Sequence, residues 1–258
     1  MKQKFYALTI LLLAAAAVLL CVSCGQQRET AETAVLSDLP LNQYDKSLFV
    51  PENGRISYQN ASAGIDVSSH QGEIDWQAVK EDGIDFAIIR AAYRGYTNGD
   101  LSMDPCFREN LKGAMDGGLA VGVYLFSQAV SIEEAEEEAN FLLECLDGAE
   151  LDLPVYYDWE PIDAESRTED TTGREVTDFA LAFCQIIEEN GYKAGVYFNE
   201  SMGYSFFRLP ELKKYDFWLA QYLSVPDFYY DFAMWQYSAS GEVAGIQEPV
   251  DMNLRFAE

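Results

Sequence analysis

Short apolar segments alternate with amphipathic segments along most of this chain, and that alternation constrains its fold more than any other feature. The apolar segments have the length of strands, which we predict at residues 64–67, 86–90, 120–126, 154–158 and 194–198. The segments between them have helical periodicity, and we predict helices at residues 76–81, 105–115, 131–146 and 175–189. Regular alternation of strand and helix indicates a parallel sheet covered by helices.

The last third of the chain has a different pattern. Residues 217–220, 233–236 and 250–252 have the character of strands, but little helix is predicted between them. We therefore predict an α/β fold, an irregular (β/α) barrel of the TIM type whose last third is poor in helices. In such barrels the chemistry takes place at the carboxyl ends of the strands.

Acidic residues lie at or near the carboxyl ends of three predicted strands. Asp158 and Glu160 are two positions apart, so their side chains should leave one face of the fourth strand ~7 Å apart along the backbone. Asp66 and Asp251 belong to the first and last strands. Glycoside hydrolysis requires two carboxyl groups beside one bond, one protonated and one ionised. Asp-x-Glu is common by itself, but the convergence of three segments favours a catalytic pocket.

The N-terminus has the features of an export signal. Lys2 and Lys4 precede an apolar stretch over residues 6–20, which is short for a membrane span and typical of a signal peptide. The sequence at 21–25 resembles a bacterial lipoprotein box in which Cys24 is lipidated, although Cys21 stands where Leu is usual. We predict a signal peptide over 1–24 and an extracytoplasmic protein with a lipid anchor in the membrane. Ordinary secretion is the alternative.

The segment that follows differs in composition from the rest. Residues 25–60 are mostly polar and have no strong periodicity, so we predict a tether between membrane and domain. Apolar residues between Tyr44 and Tyr58 leave open that part of the tether packs on the domain. We predict the folded domain over 61–258, a length sufficient for one sizeable core.

The charge of the chain limits its partners. Loss of Lys2 and Lys4 with the leader changes the formal net charge from −26 to −28. Phosphates would be repelled, which excludes nucleic acid. A substrate has to be held by shape, stacking and hydrogen bonds, which suits neutral sugar rings. Four aromatic residues near strand ends are candidates for stacking, although core packing explains each of them as well: Tyr93, Tyr124, Tyr197 and Trp218.

Other kinds of site have weaker support. His70 is the only histidine, and its nearest Ser and Asp are too close along one loop for a catalytic triad. One His and dispersed Cys residues do not supply a zinc site. A calcium or magnesium ion on the carboxylates is conceivable, but no loop of the EF-hand kind is present, so we predict neither a metal nor a cofactor.

Two further patterns have ordinary explanations. Cys106, Cys145 and Cys184 are an odd number without a close pair, which favours small buried residues over a disulfide framework, although one pair could still bridge. The acidic run over 133–138 has helical spacing and is predicted to be a solvated face.

Several motifs together resemble a known family. Residues 64–76 (GIDVSSHQGEIDW) resemble the opening signature of glycoside hydrolase family 25, the lysozymes or muramidases of the Chalaropsis type. Residues 157–160 (YDWE) match the catalytic Asp-x-Glu of that family. The other matching segments, in order, are FAIIRAAY at 86–93, GVYLF at 122–126, WLAQY at 218–222, WQYS at 235–238 and VDMN at 250–253.

The resemblance implies a fold and an activity. The fold is an irregular barrel of eight strands with about five helices. The activity is cleavage of the β-1,4 bond from N-acetylmuramic acid to N-acetylglucosamine in peptidoglycan. Glu160 is implied as the general acid and Asp158 as the second carboxylate, with Asp66 and Asp251 beside them. Gln236 lies in a matched segment and is predicted to contact substrate.

The expected mechanism proceeds with retention through the acetamido group of the substrate, because Asp158 and Glu160 are too close to leave room for an inverting water. Trp159 is bulkier than the aliphatic residue usual between the two acids and should point away from the pocket. The expected partners are glycan strands and the membrane, and we expect a monomer. Two alternatives stay open: a wall-binding lipoprotein without catalysis, and a chitinase of the family 18 type. The latter usually has an acid where Tyr156 stands.

Overall fold

The computed structural model describes residues 39–162 and 165–257. Its strands are β1 (Val50–Glu52), β2 (Arg55–Ser57), β3 (Ala61–Val67), β4 (Phe86–Arg94), β5 (Leu101–Met103), β6 (Ala120–Ser127), β7 (Val155–Trp159), β8 (Ala194–Asn199), β9 (Asp216–Ala220), β10 (Met234–Gly241) and β11 (Val250–Phe256). Its α-helices are α1 (Trp76–Glu81), α2 (Phe107–Asp116), α3 (Ile132–Leu146), α4 (Gly173–Glu189), α5 (Glu200–Ser205) and α6 (Leu209–Leu212). The predicted signal peptide and Cys24 lie outside the described residues.

Eight of the strands close into a barrel, as predicted. Their order is β3-β11-β10-β9-β8-β7-β6-β4, and β3 pairs with β4 to complete the circle. Every neighbouring pair is parallel except the two that involve β11, which runs antiparallel to both β10 and β3. The short strand β5 pairs with the end of β4 outside this circle.

The helices are distributed unevenly around the barrel. In the first part, α1 to α4 connect successive barrel strands, and Ser131 caps α3 by accepting a hydrogen bond from the Glu134 N–H, as its position predicts. The two short helices α5 and α6 precede β9 and were not predicted. Among the described residues, no helix connects β9 to β10 or β10 to β11, which confirms that the last third is poor in helices.

Large side chains fill the barrel interior below the strand ends. Phe86, Tyr156 and Trp218 are almost fully buried there. Glycines on neighbouring strands make room for these rings, since a Cβ on Gly64 would lie 2.2 Å from the Phe86 ring and one on Gly195 would lie 2.4 Å from Tyr156. These side chains therefore fill the barrel interior, and the open space for a substrate lies beyond them, towards the carboxyl ends of the parallel strands.

A segment before the barrel replaces the missing helices. We call residues 41–58, which include the hairpin β1–β2, the N-terminal strap. Tyr44 stacks on Phe256 with ring centroids 4.0 Å apart, and Phe49 meets Trp235 edge-on at 5.5 Å. Because Trp235 and Phe256 lie on the outer faces of β10 and β11, the strap buries the surface that lacks a helix.

The strap corrects the predicted tether. Residues 41–60 were assigned to a tether over 25–60, but they belong to the same compact unit as the barrel. Packing of the part between Tyr44 and Tyr58 had been left open, and Tyr44 and Phe49 from that part are the anchors. Residues 25–38 lie outside the described part of the chain. Within that part, no helix has the length and apolar character that a membrane crossing requires.

The remaining cysteines are free. Cys145 and Cys184 are buried, in agreement with their helical positions, whereas Cys106 is partly exposed. Cys106 immediately precedes α2, where its side chain forms no capping hydrogen bond. Among the described residues, these thiols therefore contribute no disulfide to the fold.

Candidate active site

Strands β3 and β11 bring two acids face to face. Asp66 and Asp251 are direct Cα partners in the antiparallel pairing of these strands. Asp251 was predicted at the carboxyl end of a strand, but it is the second residue of β11. It reaches the same rim as Asp66 because β11 runs antiparallel to the rest of the barrel.

Two side-chain amides hold Asp66 in place. Its Oδ2 accepts hydrogen bonds from Gln236 Nε2 at 2.9 Å and from Asn253 Nδ2 at 2.7 Å. The oxygens of both amides are occupied by other donors: Tyr197 and Tyr222 donate to Gln236 Oε1, and Trp218 Nε1 donates to Asn253 Oδ1. These donors fix the amide orientation so that both NH₂ groups face Asp66.

Asp66 and Asp251 raise each other's cost of ionisation. Burial, followed by the negative charge of Asp251, raises the pKa of Asp66 well above its usual range. Burial also raises the pKa of Asp251, while the hydrogen bond with Asp66 opposes that increase. Because two like charges this close are unfavourable, the pair favours a state in which one of the two acids is protonated.

The central acid of the site is Asp158 on β7. Its side chain is 6% exposed, and Oδ1 is buried without a hydrogen-bond partner among the described residues. Burial raises the pKa of Asp158 well above its usual range, the charges of Glu160 and Asp66 raise it further, and Arg90 opposes them. A buried carboxylate oxygen without a hydrogen-bond partner is costly to ionise, which agrees with the raised pKa of Asp158.

Glu160 follows β7 directly and is held from two sides. Its backbone carbonyl accepts a hydrogen bond from the buried Gln128 Nε2 at 2.8 Å. Burial raises the pKa of its carboxyl group, a hydrogen bond from Asn199 opposes this, and the charge of Asp251 adds to it. Asn199 Oδ1 caps α5 by accepting from Met202 N–H, which leaves the Asn199 NH₂ group to face Glu160. A raised pKa favours the protonated carboxyl group that a general acid requires.

A cavity of about 210 Å³ collects these acids. Besides Asp66, Asp158, Glu160 and Asp251, its lining residues are Tyr124, Phe126, Tyr197, Trp218, Tyr222 and Gln236. All four predicted catalytic acids and four of the five predicted substrate contacts therefore meet in one place. The barrel brings together residues from seven strands that are up to 185 positions apart in the sequence (66 to 251).

Three details differ from the predicted aromatic surface. Tyr93 is absent from the residues described as lining the cavity, and its ring lies 5.3 Å from the Arg90 guanidinium instead. Trp218 is 1% exposed and packs edge-on against Tyr197 at 4.8 Å, so it supports the cavity and offers little open face. Tyr222 was quoted only as part of a motif, yet it is 57% exposed at the rim.

Other supporting residues were also missed. Asn199 and Asn253 orient Glu160 and Asp66, but a single Asn in a sequence carries no signal of such a role. Trp159 does point away from the cavity, as predicted. Its indole donates to the Ala129 carbonyl at 3.1 Å and stacks on Phe206 at 5.5 Å. His70 is exposed on a short 3₁₀ turn, where it does not take part in a triad among the described residues.

A second group of acids lies behind the site, between β6, β7 and α3. Glu138 is completely buried and pairs with Arg94 at 2.7 Å, while its second oxygen accepts from Ser127 Oγ at 2.6 Å. Glu134 accepts two hydrogen bonds from Arg167. The prediction of a solvated face over 133–138 is therefore wrong for these two residues, because arginines distant in the sequence neutralise them.

Comparison with known proteins identifies the family. The sequence profile of the glycosyl hydrolases family 25 matches residues 65–246 of this chain. The chain belongs to glycosyl hydrolase family 25. Membership makes it a glycoside hydrolase of the lysozyme family, and the barrel, the acids and the matching segments named above lie within or beside the matched range.

Named relatives agree with this assignment. Lysozyme M1 of Streptomyces globisporus is 30% identical over 74% of this chain and 66% of its own length. The autolytic lysozyme of Clostridium acetobutylicum is 28% identical over 76% of this chain and 56% of its own length. The uncharacterized protein YegX of Escherichia coli K12 is 31% identical, with 74% and 68% covered.

Solved structures agree as well. The modular autolysin LytC of Streptococcus pneumoniae, solved with a synthetic peptidoglycan ligand, superimposes with a TM-score of 0.68 at 26% identity. The alignment covers 81% of this chain and 52% of LytC, so this chain spans about half of that protein. A family 25 glycosyl hydrolase of Bacillus anthracis has a TM-score of 0.64 at 23% identity, with 76% and 89% covered, and shares the fold.

Proposed function

We propose that this family 25 domain is an N-acetylmuramidase that cleaves the β-1,4 bond between N-acetylmuramic acid and N-acetylglucosamine in peptidoglycan, with retention. The observation that carries the proposal is that Asp158 and Glu160 line one cavity. An acetamido N–H of a substrate in that cavity can donate to the Asp158 carboxylate. A sugar bound in this way supplies its own nucleophile.

In the first step Glu160 acts as the acid. Its raised pKa keeps the carboxyl group protonated, and it transfers that proton to the glycosidic oxygen as the bond to the anomeric carbon breaks. The acetamido oxygen attacks the anomeric carbon at the same time. Asp158 accepts the hydrogen of the acetamido nitrogen, and a carboxylate whose pKa is raised is a good acceptor for it. The product of this step is a cyclic oxazoline.

In the second step the roles reverse. Glu160, now ionised, removes a proton from water, and the water oxygen attacks the anomeric carbon and opens the ring. Asp158 returns the hydrogen to the acetamido nitrogen. Two displacements at the same carbon give retention of configuration. One proton shared by Asp158 and Glu160 is enough for the whole cycle, so the apparent pKa values belong to the pair.

Asp66 and Asp251 set the charge around that pair. The negative charge that Asp66 and Asp251 retain stabilises the positive charge that develops at the anomeric carbon. Gln236 connects this pair to Tyr197 and Tyr222 at the rim. We propose that these three residues, with Tyr124 and Trp218, contact the sugar rings.

The test uses purified peptidoglycan and the Glu160→Gln variant. We expect Gln at 160 to lower kcat by at least about 10³-fold while the fold is retained, because the general acid is lost. A matched control is Glu136→Gln, since Glu136 is exposed on α3. Mass spectrometry of the products should find N-acetylmuramic acid at the new reducing end, and NMR should find the β-anomer first.

Three results would contradict the proposal. If Glu160→Gln cleaves peptidoglycan at the rate of the parent, Glu160 is not the general acid. Cleavage of chitin without cleavage of peptidoglycan would favour the chitinase alternative. Binding of peptidoglycan without any new reducing ends would favour a wall-binding protein without catalysis.

We also propose that Cys24 carries a lipid anchor and that the domain acts outside the cytoplasm as a monomer. The lipoprotein-like sequence at 21–25 supports the anchor. Expression of the full chain in a bacterium with labelled palmitate should label the parent and not Cys24→Ala. Release of the parent into the medium without label would favour ordinary secretion. Sedimentation of the soluble domain should give the mass of one chain.

A further inference from the structure

Exposed tyrosines form a surface beside the catalytic cavity. Tyr222 lines the cavity and is 57% exposed, while Tyr204 and Tyr229 are 47% and 59% exposed. We call these three residues the tyrosine ridge. Scattered apolar residues on a surface are ordinary, but a group of exposed aromatic residues continuous with a binding site indicates a contact with a ligand.

Two chain segments lead from the cavity to the ridge. The first is α5, which begins after Asn199, the residue whose side chain bonds Glu160. Tyr204 follows Asn199 by five residues, which is ~7.5 Å along a helix axis. Because Asn199 touches the general acid itself, this end of the ridge lies about one and a half helical turns from the chemistry.

The second segment starts at the rim residue Tyr222. Gln221 holds Asp227 through two side-chain hydrogen bonds of 2.5 and 2.9 Å, so the loop between them closes on itself. Tyr229 lies two residues beyond this closure. Its backbone N–H donates to the Tyr204 hydroxyl at 2.7 Å, which joins the two segments.

The ridge is held firmly from below. The Tyr204 ring lies 4.6 Å from the buried Phe228, and Tyr229 meets Tyr230 edge-on at 5.3 Å. The indole of Trp235 anchors the base of the loop by donating to the Gln221 carbonyl at 2.7 Å. Aromatic side chains fixed in this way lose little conformational entropy when a ligand covers them.

The small volume of the cavity indicates a ligand that extends beyond it. At about 210 Å³ the cavity is smaller than the ~300–1,000 Å³ of pockets that enclose a drug-sized molecule. Peptidoglycan glycan is a polymer, so most of a bound strand lies outside the cavity. The apolar faces of sugar rings can pack on tyrosine rings while sugar hydroxyls bond to phenol oxygens.

The charge around the ridge argues against an anionic ligand. Burial raises the pKa of Tyr204, the Tyr229 N–H opposes this, and the negative charges of Glu200 and Asp227 add to the increase. These two carboxylates would repel the phosphates of an anionic bilayer. The N-acetylglucosamine units of a glycan strand are uncharged and meet no such repulsion.

We propose that the tyrosine ridge binds the part of the glycan strand that continues beyond the cavity, and so gives the domain its preference for long strands. This inference rests on the proposed muramidase function, since it assumes a glycan in the cavity. Tyr229 contributes the most exposed ring, and Tyr222 lines the cavity together with Glu160.

The experiment measures binding without catalysis. In the Glu160→Gln background, Tyr229→Ala is titrated with soluble glycan strands freed of peptides, and separately with the disaccharide of N-acetylglucosamine and N-acetylmuramic acid. We expect the Kd for long strands to rise about tenfold and the Kd for the disaccharide to stay unchanged. Tyr229→Phe keeps the ring and should bind long strands within about twofold of the parent. Val50→Ala, 53% exposed on the strap, is the matched control.

A second variant guards against local misfolding. Tyr204→Ala removes a ring that packs on Phe228, so its melting temperature is measured beside its affinity. An unchanged Kd of Tyr229→Ala for long strands would overturn the inference. So would a loss of binding to phosphatidylglycerol–phosphatidylethanolamine vesicles with glycan binding intact, which would assign the ridge to lipid. Failure of the muramidase proposal is detected separately, as a parent protein that releases no reducing ends.

Discussion

Two groups of buried or partly buried acids, one on the inner face of the barrel and one on α3 outside it, have different kinds of neighbours. On the outer face, Glu134 and Glu138 have arginine partners, Arg167 and Arg94. On the inner face, the four acids of the cavity have amides and hydroxyls for neighbours. The one cation whose charge reaches Asp158 is Arg90 among the described residues, and it is already bound to the buried Asp104.

This difference in neighbours distinguishes acids that stabilise the fold from acids that serve the chemistry. A buried acid that serves only the fold is neutralised, because an uncompensated buried charge costs several kcal/mol. Acids that share protons without a dedicated cation keep raised pKa values, which destabilises the fold and is useful for proton transfer. Glu138 is intermediate: burial raises its pKa to about 7 despite hydrogen bonds from Ser127 and Arg94.

Removal of a charge from the inner group should harm catalysis and help the fold. We expect Asp158→Asn to lower kcat/KM for peptidoglycan about 10³-fold, which corresponds to ~4 kcal/mol of transition-state stabilisation. The same change should raise the free energy of unfolding by about 1 kcal/mol at pH 8. Because the pKa of Asp158 is raised in the folded state, its ionisation costs stability as pH rises, so the gain should shrink at pH 5. A destabilised Asp158→Asn would contradict the comparison.

Removal of a cation from the outer group should harm the fold. We expect Arg94→Met to lower the free energy of unfolding by about 3 kcal/mol, because Glu138 is left buried and unpaired. The loss should decrease at acid pH, where Glu138 takes up a proton. The control is Arg174→Met, whose guanidinium is exposed and whose ion pairs should contribute less than about 1 kcal/mol. Urea denaturation at several pH values measures both, and equal losses would refute the distinction.

The charge of Asp251 should appear in the pH profile. Burial is the largest cause of the raised pKa of Glu160, and the negative charge of Asp251 adds to it. Asp251→Asn should therefore lower that pKa. The general acid then loses its proton at a lower pH. We therefore expect the alkaline limb of kcat/KM to move to lower pH in Asp251→Asn. A limb that stays in place would mean that burial alone controls Glu160.

The smallest effect concerns the orientation of an amide. Tyr197→Phe removes one of two hydroxyls that donate to Gln236 Oε1, and Tyr222 remains. We expect kcat/KM to fall about fivefold, in line with one hydrogen bond of ~1 kcal/mol. Tyr237→Phe is the control, since Tyr237 lies on the outer face of the barrel. A loss as large as that of Asp158→Asn would show that Tyr197 takes part in the chemistry.

Much of the barrel could be predicted from the sequence. Strand and helix periods placed α1 at its observed bounds and most strands within a few residues. Strand β11 was predicted too short, and its antiparallel direction was not predicted at all, because an alternating pattern reads the same in both directions. Asp251 nevertheless reaches the cavity, since its register with Asp66 compensates for the reversal.

What could not be predicted depends on contacts between distant residues. The pairing of Glu138 with Arg94 joins positions 44 residues apart, so an acid in a Glu-rich helix gave no sign of burial. The role of Asn253 depends on the orientation of its own side-chain amide, and the role of Tyr222 depends on the orientation of the Gln236 amide. Tyr93 has the right residue type near a strand end, but β5 pairs beside it and the Arg90 guanidinium lies over its ring.

The strap has a practical consequence for the protein as a whole. A truncated protein that begins at Ala61 would contain every barrel strand, yet Trp235 and Phe256 would lose the cover of Phe49 and Tyr44. Water would then reach these two aromatic rings, and Phe256 lies on the strand that carries Asp251. The exposed rings would favour self-association, and one wall of the catalytic groove would become less stable. If the N-terminus carries a lipid anchor, a force exerted through the membrane would act on the barrel at this same wall.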